Sequence, residues 1–118
     1  MKAAVATYIL VLAIAGFASG ADAANRDCDW VEGRLSAYNG TPSFRIWPRN
    51  THRLLGVVSR EGDEDEIDRL PASIRALSPG FGKDVWGQFK FCPTTRERAG
   101  WMRLGYVTAA KDLVVVKR

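Results

Sequence analysis

The stretch Asp29-Trp30-Val31-Glu32-Gly33-Arg34-Leu35-Ser36-Ala37-Tyr38-Asn39-Gly40-Thr41-Pro42-Ser43-Phe44-Arg45-Ile46-Trp47 decides the fold class. From Asp29 to Tyr38, Val31, Leu35 and Ala37 fall in one phase, and Trp30, Glu32, Arg34 and Ser36 in the other. That period of two belongs to a strand with one buried face. Asn39-Gly40-Thr41-Pro42 is turn chemistry, and Asn-Gly between alternating runs favours a hairpin. Ser43 to Trp47 is the returning strand, with Phe44 and Ile46 opposite Arg45 and Trp47. Asn39-Gly40-Thr41 also matches a glycosylation sequon, but Pro42 follows it and the segment reads as a turn.

The pattern continues outward from this hairpin. Pro48-Arg49-Asn50-Thr51 is a second turn, and Arg53 to Val58 a third strand in which Gly56 marks a bend or bulge. Glu61 to Asp68 is an acidic run that reads as a solvated loop, since its spacing does not match a calcium-binding loop. Leu70, Ile74 and Leu77 recur at helical spacing behind Pro71, and Ser78-Pro79-Gly80 stops the helix. Val85 to Cys92 reads as a fourth strand. Trp101 to Thr108 reads as a fifth, with Met102, Leu104 and Tyr106 facing the core. Ala109 to Asp112 reads as a turn before a last short strand, Leu113 to Lys117. The expectation is a mostly β domain: a small five- to six-stranded antiparallel barrel, OB-like, with one short helix between strands three and four. A general small β-barrel and an open α+β sheet are compatible with the same order.

The start of the chain reads as an export signal. Lys2 precedes the apolar run Ala3 to Phe17, which is shorter than the ~20 residues that span a bilayer. Ala21 and Ala23 stand in the arrangement that signal peptidase reads, so cleavage is expected after Ala23, with Ala24 as the alternative. Residues 1–23 are then the signal peptide and 24–118 a single small β domain, periplasmic or secreted, with no membrane span left after cleavage. The two cysteines, Cys28 and Cys92, are an even count in an exported chain and argue for one disulfide. They lie too far apart in sequence for a redox pair. With the lone His52 they make a poor metal site, and no metal or cofactor is implied.

The chain carries a formal net charge of +4, and removing 1–23 takes away only Lys2 and Asp22, which leaves it unchanged. Arginine outnumbers lysine, and its planar fork suits carboxylates, phosphates and aromatic faces. All four tryptophans (Trp30, Trp47, Trp86 and Trp101) fall in the polar phase of their strands, beside Arg or Lys. Apolar side chains of that size outside a core mark either a ligand surface or a second small core of stacked rings and guanidinium groups. The densest basic-aromatic stretch, Arg45 to Arg53, supplies the candidate binding residues Arg45, Trp47, Arg49 and Arg53. On this reading Trp47 is a surface residue whose removal leaves stability nearly unchanged. No nucleophile elbow is present, and His52 reads as an exposed turn residue, so no catalytic residue is assigned.

The leading expectation is an exported, non-enzymatic binding module for an anionic, saccharide or protein partner of the envelope or extracellular space. Export argues against nucleic acid. The alternatives are a small exported inhibitor of a hydrolase, or a structural component of an envelope assembly.

The stretch from Gly33 to Trp47, together with Trp86-Gly87-Gln88-Phe89 and Cys92-Pro93, resembles small exported proteobacterial proteins of unknown function. The resemblance covers most of the chain after residue 23. It implies an exported, disulfide-bearing domain, and it carries no activity and no site residues.

Overall fold

The computed structural model describes residues 27–61 and 70–118. The expected signal peptide at 1–23, and all of the acidic run except Glu61, lie outside the described residues. The elements are β1 (Asp29–Ala37), β2 (Phe44–Pro48), β3 (Leu55–Val57), α1 (Ala72–Arg75), β4 (Lys83–Pro93) and β5 (Arg103–Lys117). The protein is mostly β, with its short helix between β3 and β4 as expected.

The five strands form one sheet in the order β1-β2-β3-β5-β4, and β4 returns to pair with β1, so the sheet closes into a ring. Four of its pairings are antiparallel and one, β3 with β5, is parallel. The sheet is therefore mixed, which corrects the expectation of an all-antiparallel one. The reason is topological. After β3 the chain crosses through α1 to the far side of the ring, and β4 and β5 then form a hairpin that delivers β5 alongside β3 in the same direction.

β1 belongs to both halves of the ring. Its residues 33–37 pair with β2 while residues 29–35 pair with β4. Gly33 makes this double pairing possible. A Cβ at Gly33 would collide with the Trp47 carbonyl oxygen, so only glycine lets the two backbones approach this closely. The hairpin from β1 to β2 is present, but its loop is 38–43, closed by Tyr38 N–H donating to Ser43 O at 2.8 Å. Asn39-Gly40 sits inside this wider loop and does not form a two-residue turn. The Thr41–Pro42 peptide is cis.

The inner face carries Leu35, Ile46, Val57, Val85 and Phe89, all inaccessible to solvent, with Phe44, Leu55, Phe91 and Val107 nearly so. These are the inward-phase residues of all five strands. Ile74 on α1 is fully buried, and Leu70 beside it nearly so. The helix is one turn long, started at Pro71, whose carbonyl accepts from Ile74 N–H at 2.9 Å. Its function is to deliver Ile74 to the core.

Two expectations for the last third of the chain are overturned. β5 does not present Met102, Leu104 and Tyr106 to the core; Gly105 and Val107 are the buried residues. The inward position at Gly105 is filled by the Phe91 ring and the Cys92 carbonyl, each within 2.6 Å of where a Cβ would stand. A glycine facing inward hides the apolar phase of the strand, and reading the phase from its neighbours shifts it by one residue. The separate sixth strand is also absent. Ala109 to Asp112 does not turn, because β5 runs on to Lys117 through two register shifts against β4. At the second, nearer its end, Asp112 takes a left-handed conformation, with φ of 56°. The extra residue is absorbed as a bulge.

Cys28 and Cys92 form the expected disulfide, 64 residues apart, joining the entry of β1 to the end of β4. Among the described residues no helix is long and apolar enough to cross a membrane.

Candidate functional site

The outer face of β2, β1 and β4 is built in rungs. Arg34 pairs in register with Trp47 on one side and Trp86 on the other. Its guanidinium lies 5.2 Å from the centre of the Trp47 ring and 5.8 Å from that of Trp86. The two indoles meet edge to face, 5.9 Å apart. Arg49 stacks on Trp86 from one end of the cluster, at 5.1 Å, and reaches Glu32 at 3.6 Å. On the rung at the other end, Ser36 donates to Asp84 at 2.7 Å, and Arg118 grips the same carboxylate oxygen at 2.8 and 2.9 Å. Burial alone would raise the Asp84 carboxyl; hydrogen bonds from Arg118 and Ser36, with the charges of Arg118 and Arg34, outweigh it and leave the group below its ordinary value.

This face uses most of its own recognition groups. The Trp47 indole N–H donates to Thr51 O at 2.8 Å. Arg45 donates through Nε to Pro42 O at 2.9 Å and lies over the Tyr38 ring at 4.9 Å. The Arg34 Nε is buried and makes no hydrogen bond, so its charge is met by the two rings and by Asp84 nearby. Trp47 and Arg45 are half-buried. Of the four residues chosen from the sequence, Arg45, Trp47 and Arg49 share this face, and all three meet partners within the protein. On this face the rings and guanidinium groups pack against one another.

Arg53 lies elsewhere. It follows β2 and turns toward the loop between β4 and β5, where Nη2 meets both Glu97 oxygens, Oε1 at 2.8 Å and Oε2 at 2.7 Å. Arg103, at the start of β5, approaches the same carboxylate at 3.7 Å. The hydrogen bond from Arg53 is the main reason the Glu97 carboxyl sits below its ordinary value. Partial burial opposes it, and the charges of Arg53 and Arg103 add to the lowering.

The loop 94–102 is exposed along nearly its whole length and braced at its base. Thr94 N–H donates to Leu104 O at 2.8 Å, Leu104 N–H to Thr95 Oγ1 at 2.9 Å, and Arg103 Nε to Thr95 O at 3.1 Å. Gly100, with φ of 80°, makes the bend that leads into Trp101. Trp101 is 65% exposed, more than any other large apolar side chain among the described residues. Arg98 stacks on it at 4.4 Å. Between this loop and the segment 52–54 lies an open groove of about 450 Å³, with His52 and Arg53 on one wall and Glu97, Arg98 and Trp101 on the other.

The chain matches no family model, no curated protein and no solved structure. The site therefore rests on geometry alone. Among the described residues no cluster of His, Cys, Asp and Glu could hold a metal ion.

The sequence pattern puts Trp101 on a strand beside Arg103. The structure begins β5 at Arg103 and leaves Trp101 in the loop. The available signal was Arg96-Glu97-Arg98-Ala99-Gly100-Trp101: charges of both signs, then a bending glycine, then an indole with no alternating partner ahead of it.

Proposed function

We propose that this protein is an exported, non-enzymatic binding module, periplasmic or secreted, that takes an anionic partner in the groove between 52–54 and 94–102. The observation that carries the reading is Trp101. It stands mostly exposed on a loop braced by its own backbone, with one guanidinium stacked on it and Arg53 across the groove. A bare indole costs solubility unless it meets a partner, and Trp and Arg together are the residues that most often anchor recognition. Arg53 and Arg98 line the groove, and Arg103 reaches the same Glu97 carboxylate as Arg53, so an anion is drawn to it.

The fold supports the same reading. The ring order with its one parallel pairing, and a helix between β3 and β4, fit an OB-like barrel. In such barrels the loop between strands four and five is one wall of the ligand site. The disulfide, the expected signal at 1–23 and the resemblance carried by Gly33 to Trp47 support export.

The test is a binding screen of anionic and neutral oligosaccharides, acidic peptides and inorganic phosphates against the chain after residue 23. Wild type is compared with Trp101→Ala and Arg98→Ala. Binding of an anionic probe that both variants weaken, at an unchanged melting temperature, is the expected result. Binding that ignores both substitutions but fails in Arg49→Ala would move the site to the outer face of β1, β2 and β4.

A further inference from the structure

Arg53 and Arg103 already hold a carboxylate, and that carboxylate belongs to the protein. Arg53 Nη2 meets both oxygens of Glu97 and Arg103 Nη1 faces one of them. Two guanidinium groups converging on one carboxylate make the geometry that recognises a ligand carboxylate. The seat is shallow: the side chains of Arg53 and Glu97 are 41% and 54% exposed. An ion pair that open to water contributes little stability, so exchanging one carboxylate for another costs the fold little. The loop has other braces besides Glu97, because Thr94 and Thr95 hold it to Leu104 through backbone and hydroxyl hydrogen bonds.

We infer that Glu97 is an internal stand-in for the ligand, and that the groove takes a carboxylate-bearing oligosaccharide whose acid group displaces Glu97 from Arg53 and Arg103 while a neighbouring sugar ring stacks on Trp101. This rests on the groove being the binding site. A saccharide fits better than an acidic peptide for a reason of shape. The groove is open, with Leu54, Ala99 and Met102 beside its polar groups and the flat Trp101 ring, and it offers no enclosed apolar pocket of the kind that seats a protein anchor residue. The C–H face of a pyranose needs only the flat indole. Its hydroxyls find donors in Arg98 and the exposed His52. Glu97 then sets a threshold: neutral sugars lack the group that unseats it, and anions must compete with it.

The competition makes an unusual prediction. Glu97→Gln keeps the size of the side chain and removes the competing charge. The experiment is calorimetric titration of an oligogalacturonate into wild type, Glu97→Gln, Arg53→Ala and Trp101→Ala, with a neutral oligogalactoside and an oligoglutamate peptide as further arms. The expected result is that Glu97→Gln tightens oligogalacturonate binding by roughly two- to fivefold, the factor an exposed ion pair is worth. Arg53→Ala and Trp101→Ala weaken it, and the neutral sugar does not bind. Unchanged or weaker binding by Glu97→Gln, with Trp101→Ala still impaired, would overturn the stand-in role and leave the groove as the site. Binding of the peptide but not the uronate would overturn the saccharide. Binding of none of the probes by wild type would count against the groove itself, and the inference would fall with it.

Discussion

Trp47 and Trp86 meet edge to face at 5.9 Å although they stand on strands that are not neighbours; β1 runs between them, and Arg34 fills the gap with its guanidinium against both rings. Three strands are thereby tied on their outer face as the core ties them on the inner one. Trp47→Ala is therefore expected to destabilise the fold, by about 2 kcal/mol, combining lost apolar burial with the loss of an aromatic pair. It also strips one ring from a guanidinium whose Nε is buried without a hydrogen bond. Chemical denaturation measures this directly. An unchanged midpoint would return Trp47 to the role of an exposed binding residue, one of the two roles that the sequence leaves open for it.

The hairpin, the three leading strands, the helix position and the disulfide were legible because each carries a local signal: period two, turn residues, helical spacing or a cysteine pair. β5 was not. Its inward positions include Gly105, and its extra residue near Asp112 is a bulge, so its periodicity breaks where the structure needs it to. The parallel pairing with β3 leaves no mark on either strand. Composition places Arg beside Trp, but only the fold decides that Arg45 turns back to Pro42 and Tyr38 while Arg98 and Trp101 stay in the open.

The disulfide should account for a large share of the stability. It closes a loop with a sequence separation of 64, which the chain-entropy relation converts to about 4 kcal/mol. The two ends it joins, at the entry of β1 and the end of β4, are also the ends of the pairing that closes the ring. Replacing both cysteines by serine should lower unfolding free energy by that order in a denaturant titration. A loss below about 1 kcal/mol would mean that the unfolded chain is already compact enough to make the staple redundant.

Asp84 gives the fold a dependence on acid. Its side chain is 15% exposed and its carboxyl sits below the ordinary value of 3.8 when folded. The folded state therefore holds this proton less tightly than the unfolded chain does. The resulting stability is fully present above the ordinary carboxylate range and is lost as pH falls through it toward the lowered folded value. Asp84→Asn should cost on the order of 2 kcal/mol at neutral pH, as expected for hydrogen bonds to a charged group. The gap between wild type and variant should narrow as the solution is acidified. Melting curves at a series of pH values test this, and a gap that stays constant would show that Arg118 and Ser36 act on Asp84 only through packing.

Gly33 is the sharpest test of the double pairing of β1. The added methyl of Gly33→Ala has nowhere to go, because the Trp47 carbonyl already occupies that position and the Cα of Pro48 is 3.0 Å away. Both are backbone atoms in a paired strand and cannot swing aside as a flexible side chain would. The strands must separate, which breaks the register between Gly33 and Pro48 and strains the Arg34–Trp47 stack on the next residue. The expected cost is about 2 kcal/mol or more, at the upper end for overpacking. The strain is confined to the β1–β2 side, so hydrogen exchange should rise at Arg49 N–H, which donates to Glu32 O at 2.8 Å, while Val58 N–H, bonded to Gly105 O, stays protected. Equal loss at both amides would mean that the ring opens as one unit, and that Gly33 is needed for closure of the whole sheet rather than for one of its seams.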